Sequence, residues 1–354
     1  MNRTIAASAS RIDPRAFCLP ALAALALVLP AAGAQAACKY QRVGGVPVSW
    51  KDQRLVLPGT VNGKPVDMLV DSGVPAVALS HAFAERLGLG LWPVTADGVR
   101  MESSGVGGRS DLWRTRVDEI SFGKVQWKSA HLEVFGSVSG PAPDVLVGAG
   151  FLFQRDAELT ADAITFLEAS DCSADHSLAY WAEDVPWTTT EPTTARDLRV
   201  IVTVRVDGQP VRALVDSGSP TSAIDLSDAR QRGFRPEAGA DEKVGGIGTH
   251  TVGRWPATFK TFEIGDEVIR NPRLEVVDMF GAYRQDFQYT TTEKAIADEP
   301  HMLLGADFLK SHRVLFATSQ RRMYFSYVGG PVFGAPAVPA APAAVGSASA
   351  SAKN

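Results

Sequence analysis

Val61-Asn62-Gly63-Lys64-Pro65-Val66-Asp67-Met68-Leu69-Val70-Asp71-Ser72-Gly73 returns 145 residues later as Val206-Asp207-Gly208-Gln209-Pro210-Val211-Arg212-Ala213-Leu214-Val215-Asp216-Ser217-Gly218. The match runs on through Pro75/Pro220, Ala78/Ala223, Ala84/Ala229 and Gly88/Gly233, so that 13 of the 28 positions from 61 to 88 are identical at one offset. Chance does not supply that agreement, and the chain is a tandem duplication. Each copy predicts the same local structure. An alternating apolar run, Arg54–Val61 or Leu198–Val206, ends at Asn62-Gly63 or Asp207-Gly208, the strongest short signal for a hairpin turn with positive φ. The returning strand carries Leu69-Val70 or Leu214-Val215 straight into Asp-Ser-Gly, which puts a carboxylate where a buried strand breaks into a loop. Ser80 and Asp225 then stand at matched N-cap positions of a short helix, and Gly88 and Gly233 at its C-terminal end.

A second matched pair lies downstream, Val145-Leu146-Val147-Gly148-Ala149-Gly150-Phe151-Leu152 and Met302-Leu303-Leu304-Gly305-Ala306-Asp307-Phe308-Leu309. Strand-like segments follow each, Ala163–Leu167 and Val314–Tyr327. Between the Asp-Ser-Gly and this element each half has a glycine-rich stretch, with Gly105, Gly107 and Gly108 in Ser103–Arg109 and Gly245, Gly246 and Gly248 in Val244–Thr249. No Gly-Lys-Ser/Thr follows and no helix pattern opens there, so a phosphate-binding loop is excluded and a flexible hairpin tip is expected.

Further out, the chain divides by composition. Arg3, Arg11 and Arg15 precede an apolar stretch from Ala16 to Leu29 and small residues ending in Ala34-Gln35-Ala36. That is the pattern of a secretory signal over residues 1–36, and its apolar part falls short of the roughly 20 residues a membrane span needs. No stable membrane span is expected after cleavage. Residues 37–169 then form the first lobe, 170–196 a linker with the Thr-rich core Thr188-Thr189-Thr190-Glu191-Pro192-Thr193-Thr194, 197–328 the second lobe, and 329–354 a disordered tail of Ala, Pro, Gly and Ser. Cys18 leaves with the signal, and Cys38 and Cys172 remain as an even pair in an oxidising compartment, which suggests a disulfide; two free buried thiols are the alternative. The six histidines, 81, 131, 176, 250, 301 and 312, show no ligand spacing, so neither metal nor cofactor is expected. The 354 residues carry 45% hydrophobic and 21% charged side chains and a net charge of −4. With no Lys/Arg-dense run the chain lacks the electrostatic footprint of a nucleic-acid partner.

One hydrophobic-hydrophobic-Asp-Ser-Gly sequence is a weak signal, but two in matched contexts resemble the retropepsin-like aspartic proteases, here as a tandem single-chain member of bacterial type. The resemblance spans most of residues 45–168 and 198–328. It implies a mostly β fold, two tandem acid-protease lobes forming a pepsin-like bilobal pseudo-dimer, so that a homo-oligomer is not required and a monomer is expected. It also implies that Asp71 and Asp216 share one active site. Ser72 and Ser217 then hydrogen-bond across the two-fold axis, Gly73 and Gly218 bring N–H groups to the carboxylates, and the glycine-rich hairpins close over an extended peptide bound as an added strand.

Two carboxylates about 3 Å apart cannot both ionise, so the pair shares a proton, as the two aspartates of pepsin do. The expected activity is that of an exported aspartic endopeptidase, with the periplasm as its destination and peptide or protein as its substrate. Val74 stands where the family usually has Ala or Ser, as Ser219 does in the second half, and a β-branched side chain there is expected to narrow the loop or change the hydrogen bonding beside Asp71. A catalytically weak or inactive peptide-binding protein on the same fold is therefore the alternative.

Overall fold

Both Asx-Gly pairs turn the chain as their sequence predicts, with φ of 47° and 74° at Asn62 and Gly63 and of 52° and 74° at Asp207 and Gly208. The Asx side chains have a second task. Asn62 Oδ1 accepts the Asp118 and Glu119 N–H groups at 2.8 and 3.1 Å, and Asp207 Oδ1 accepts those of Lys260 and Thr261 at 2.6 and 3.0 Å. Each turn thereby docks the next hairpin of its own lobe. The computed structural model describes residues 38–136, 138–237, 242–286 and 296–334, so the expected signal and most of the expected tail lie outside the described residues.

The duplication is visible in the topology. In the first lobe the strand Lys64–Asp71 lies parallel to Val145–Gly148, which lies antiparallel to Ala78–Ser80, which lies parallel to Val125–Phe135. The second lobe repeats that order and sense with Gln209–Val215, Met302–Leu304, Ala223–Asp225 and Arg273–Val277. Each lobe builds a nine-stranded sheet around this centre. The helices His81–Arg86 and Leu226–Gln231 begin where expected, with Ser80 Oγ accepting from Phe83 N and Asp225 Oδ1 from Ser227 N. Gly88 and Gly233 follow them at φ of 67° and 91°, where a side chain would be strained. Alternation along these strands buries Leu55, Leu57 and Val61 in one lobe and Val202, Val204 and Val206 in the other, and a single apolar core runs through both.

A third, six-stranded sheet joins the halves in the order Lys39–Pro47, Ala163–Ser170, Asp156–Leu159, His312–Ala317, Arg322–Tyr327 and Trp187–Thr189. Three features differ from the sequence reading. The run Val314–Tyr327 is two antiparallel strands, broken at the tight turn Thr318–Gln320, with Arg321 at φ 54°. Residues 170–196 are packed: Leu178, Ala179 and Val185 are buried against Leu315, Ala317 and Tyr324, and Trp187–Thr189 adds the edge strand. Their apolar residues follow neither helical nor strand period, which is why composition alone suggests a linker. The second lobe also continues past residue 328, since Phe333 is buried with its ring 4.7 Å from that of Phe262.

Cys38 and Cys172 are joined in a disulfide, which fastens the first strand of the six-stranded sheet to the end of its neighbour. The bond closes a loop with a sequence separation of 134, and the chain-entropy argument assigns such a loop about 5 kcal/mol. Reduction, or Cys38→Ser with Cys172→Ser, is expected to lower the urea midpoint accordingly; an unchanged midpoint would refute this role.

Candidate active site

The two Asp-Ser-Gly turns meet at the boundary between the lobes. Ser72 N donates to Ser217 Oγ at 3.0 Å and Ser217 N to Ser72 Oγ at 2.9 Å. Each hydroxyl then donates across the boundary, Ser72 Oγ to Val215 O and Ser217 Oγ to Val70 O, both at 2.7 Å. These four bonds are buried and two-fold symmetric to within 0.1 Å. They fix the two strand ends relative to one another.

That clamp sets the carboxyls side by side. A Cβ on Gly73 would lie 2.7 Å from Asp216 Cγ, and one on Gly218 would lie closer still to Asp71 Cγ. Glycine is needed at both positions because each carboxyl rests on the other lobe's turn. Gly73 N donates to Asp71 Oδ1 at 3.0 Å and Gly218 N to Asp216 Oδ1 at 2.9 Å. The two carboxyls stand close enough for each to shift the titration of the other. Burial, and then the neighbouring Asp216, push Asp71 well above the usual carboxylate range. Burial raises Asp216 too, but the Gly218 and Ser219 N–H groups, the Asp71 carboxyl and the charge of Arg199 oppose it.

Beneath each turn lies one of the two matched apolar-Gly elements. Gly148 and Gly305 lie so close under the loops that a Cβ would be 2.6 Å from Val74 O in one and from Thr221 C in the other. Ala149 N donates to Val74 O and Ala306 N to Ser219 O, both at 2.8 Å. Val74 therefore keeps the same backbone role as Ser219. The difference lies in the side chain: the Ser219 hydroxyl binds Thr221 O at 2.8 Å. The Val74 side chain instead joins the apolar wall of Leu69, Ala78, Phe135 and Leu146.

The sequence reading missed one bracing pair. Ser222 N and Oγ both donate to Asp307, at 2.9 and 2.6 Å to Oδ1, while Ser222 Oγ accepts from Gly305 N at 2.8 Å. Burial raises Asp307 against the pull of these donors. Gly150 occupies the matching place in the first half, so the difference within Gly-Ala-x-Phe-Leu is the one signal that could have pointed to it.

All six candidate hairpin glycines lie at two tips. Gly105, Gly107 and Gly108 form the turn between Glu102–Gly105 and Gly108–Phe122, and Gly245, Gly246 and Gly248 lie in the loop between Glu242–Val244 and Val252–Thr258. The tips touch, with Gly248 N donating to Val106 O at 3.1 Å and His250 N to Gly107 O at 3.0 Å.

Among the described residues, the group that could converge on a cation is Asp225, Asp228 and His301. Its donors already serve one another. His301 Nδ1 lies 2.5 Å from Asp228 Oδ2 and Nε2 lies 3.0 Å from Ile296 O, while Asp225 caps its helix. The Asp228 bond raises His301, as befits an imidazolium donating from both nitrogens; the cluster is a structural ion pair within the second lobe.

The aspartic proteinase from Irpex lacteus is similar in fold, with 11% sequence identity, coverage of 82% of this chain and 98% of that chain, and a TM-score of 0.47. No curated protein matches the sequence. The family model described as aspartyl protease matches residues 57–151 and 202–308, one segment in each lobe and each spanning its Asp-Ser-Gly. With both segments matched, over more than half of the chain and one in each lobe, the chain belongs to the aspartyl protease family.

Proposed function

We propose that the protein is an endopeptidase that hydrolyses extended peptide by direct attack of water held between Asp71 and Asp216. The observation that carries this reading is the close approach of the two carboxyls, each resting on the other lobe's Asp-Ser-Gly turn with a Cβ on Gly73 only 2.7 Å from Asp216 Cγ, because a pair so placed shares a proton, which makes one group an acid and its neighbour a base at the same pH. The surroundings assign the roles. Both carboxyls receive N–H groups from their own turns, but Asp216 also has the positive charge of Arg199 nearby and is the ionised member, while Asp71 carries the proton. Asp216 takes a proton from water as its oxygen bonds to the peptide carbon, while Asp71 protonates the carbonyl oxygen. Asp216 then passes its proton to the departing amine as the C–N bond breaks, and Asp71 recovers its own from the diol. No covalent acyl-enzyme is formed.

The hairpin tips supply backbone groups for an extended substrate strand. Because one chain brings both carboxyls together, a second copy is not needed to complete the pair. The Cys38–Cys172 bond supports export to an oxidising compartment such as the periplasm, with residues 1–36 as the signal. Among the described residues no helix is long and apolar enough to cross a membrane.

The test is to incubate the chain lacking residues 1–36 with unfolded protein at mildly acidic pH. Internal cuts are expected, blocked by one equivalent per chain of a peptide analogue carrying a tetrahedral secondary alcohol at the scissile position. Tight binding of that analogue without any product would instead establish a peptide-binding protein.

A further inference from the structure

The contact between the hairpin tips is held by side chains from outside them. Tyr283, on the second-lobe helix Gly281–Asp286, places its hydroxyl 3.4 and 3.1 Å from the carbonyl oxygens of Gly105 and Gly108, on the two sides of the first hairpin's turn. Ser139, in the first lobe, does the converse: its hydroxyl lies 3.2 and 2.8 Å from the carbonyl oxygens of Gly248 and His250, and its N–H donates to Gly248 O at 3.0 Å. Each lobe thus sends one hydroxyl to two backbone carbonyls of the opposite lobe's hairpin. Burial raises the Tyr283 hydroxyl, so it remains a donor.

The tip side chains are exchanged in the same way. Ile247 packs with Val74 and Val138 on the first-lobe wall of Leu69, Ala78, Phe135 and Leu146. Val106 packs with Tyr283 and Leu303 on the second-lobe cluster that includes Ala223, Val277 and Ile296. Leu69 and Val74 flank Asp71 in sequence, and Leu303 pairs with Leu214 two residues before Asp216. The apolar surface beside each carboxyl is therefore covered by the other lobe's tip. Glycine is what permits the interleaving, since a Cβ on Gly246 would lie 2.8 Å from Val106 O, and one on Gly107, Gly245 or Gly248 would meet facing backbone closer still.

We propose that Ser139 and Tyr283 are positioning residues that latch each hairpin to the opposite lobe, so that a peptide reaches the carboxyls only after both hydroxyls release their carbonyls. The proposal rests on the peptidase reading for its consequence, but the latch itself is a property of the free chain. A protein held mostly closed binds with an affinity and apparent association rate reduced by its open fraction. Loosening the latch therefore speeds peptide capture, whereas damage to a hairpin needed only to grip the substrate slows it.

Two measurements on the full mature chain test this. Hydrogen exchange of the segment carrying the Gly248 and His250 amides is expected to accelerate about fivefold in Tyr283→Phe and in Ser139→Ala, the effect of losing one hydrogen bond of ordinary strength, while Ser139→Thr keeps the slow rate. The association rate of the secondary-alcohol peptide analogue is expected to rise by a similar factor in the first two variants, with the maximal cleavage rate unchanged. Unaltered exchange in both, or slower association in both, would overturn the latch. Faster exchange in a chain that binds no analogue would retain the latch and remove the peptidase reading.

Discussion

Asp71→Asn and Asp216→Asn are each expected to lower peptide hydrolysis by roughly a thousandfold or more, the range in which a positioned acid or base contributes. Asparagine keeps the shape of the side chain and its place on the opposite glycine, but it cannot pass a proton. With either carboxyl replaced there is no shared proton, so neither activation of water nor protonation of the carbonyl oxygen survives. Both variants should be equally dead, because the two groups act as one unit. Full activity in either single variant would show that the paired carboxyls are not the catalytic centre.

The same substitution carries a second, opposite signature in stability. Asp71 sits above its ordinary value through burial and the adjacent carboxylate. A carboxyl raised on folding contributes its stability while protonated, below the ordinary carboxylate range, and that contribution is lost as pH rises through the raised value. The wild-type protein therefore weakens between acid and neutral pH at this site. Asp71→Asn removes the titration and is expected to melt higher than wild type at neutral pH, by about 1–2 kcal/mol as for other relaxed active sites, with the two curves converging in acid. Asp216→Asn should gain less, since the positive charge of Arg199 already favours its charged form. Thermal melts at pH 3 and pH 7, run beside the hydrolysis assay, read both effects from the same samples.

What was legible in the sequence was whatever is decided locally. Asn62-Gly63 and Asp207-Gly208 fix their turns within two residues, Ser80 and Asp225 cap the helices they precede, and the repeat carries each Asp-Ser-Gly to the end of a matched strand. The carboxyl pair follows because the family resemblance supplies the one long-range fact that local rules omit, that the two turns face each other. Features made by contacts between distant segments were not legible. The six-stranded sheet pairs Asp156–Leu159 with His312–Ala317, and nothing local in either strand names the other. Phe333 reads as tail because its neighbours are Gly, Pro and Ala, yet one aromatic ring with a pocket between Phe262 and Phe308 is enough to order it. Ser139 and Tyr283 lack any motif, since a hydroxyl that reaches carbonyls across two lobes has no characteristic neighbours in the chain.

Ser72→Ala and Ser217→Ala test the long-range fact directly. Each removes a hydroxyl that both accepts the partner's N–H and donates to a backbone carbonyl, leaving for Ser72→Ala the Ser217 N–H and Val215 O unpaired. Because the site is buried, the loss is expected to be about 2–4 kcal/mol for either variant. Cleavage should fall about a hundredfold in the protein that remains folded, since the hydroxyls set the spacing of the carboxyls and a displacement of about 1 Å has that cost. The double variant should lose less than the sum, because the four bonds form one network and the second substitution removes partners already stranded. Ser219→Ala is the internal control: among the described residues its hydroxyl bonds Thr221 O alone, so about 1 kcal/mol and little activity are at stake. Serine-to-threonine at 72 or 217 keeps the hydroxyl and should restore both properties. If the alanine variants instead cleaved like wild type, the carboxyls would have to be held together by the six-stranded sheet alone, and the symmetry of the two turns would be a relic of duplication with no part in catalysis.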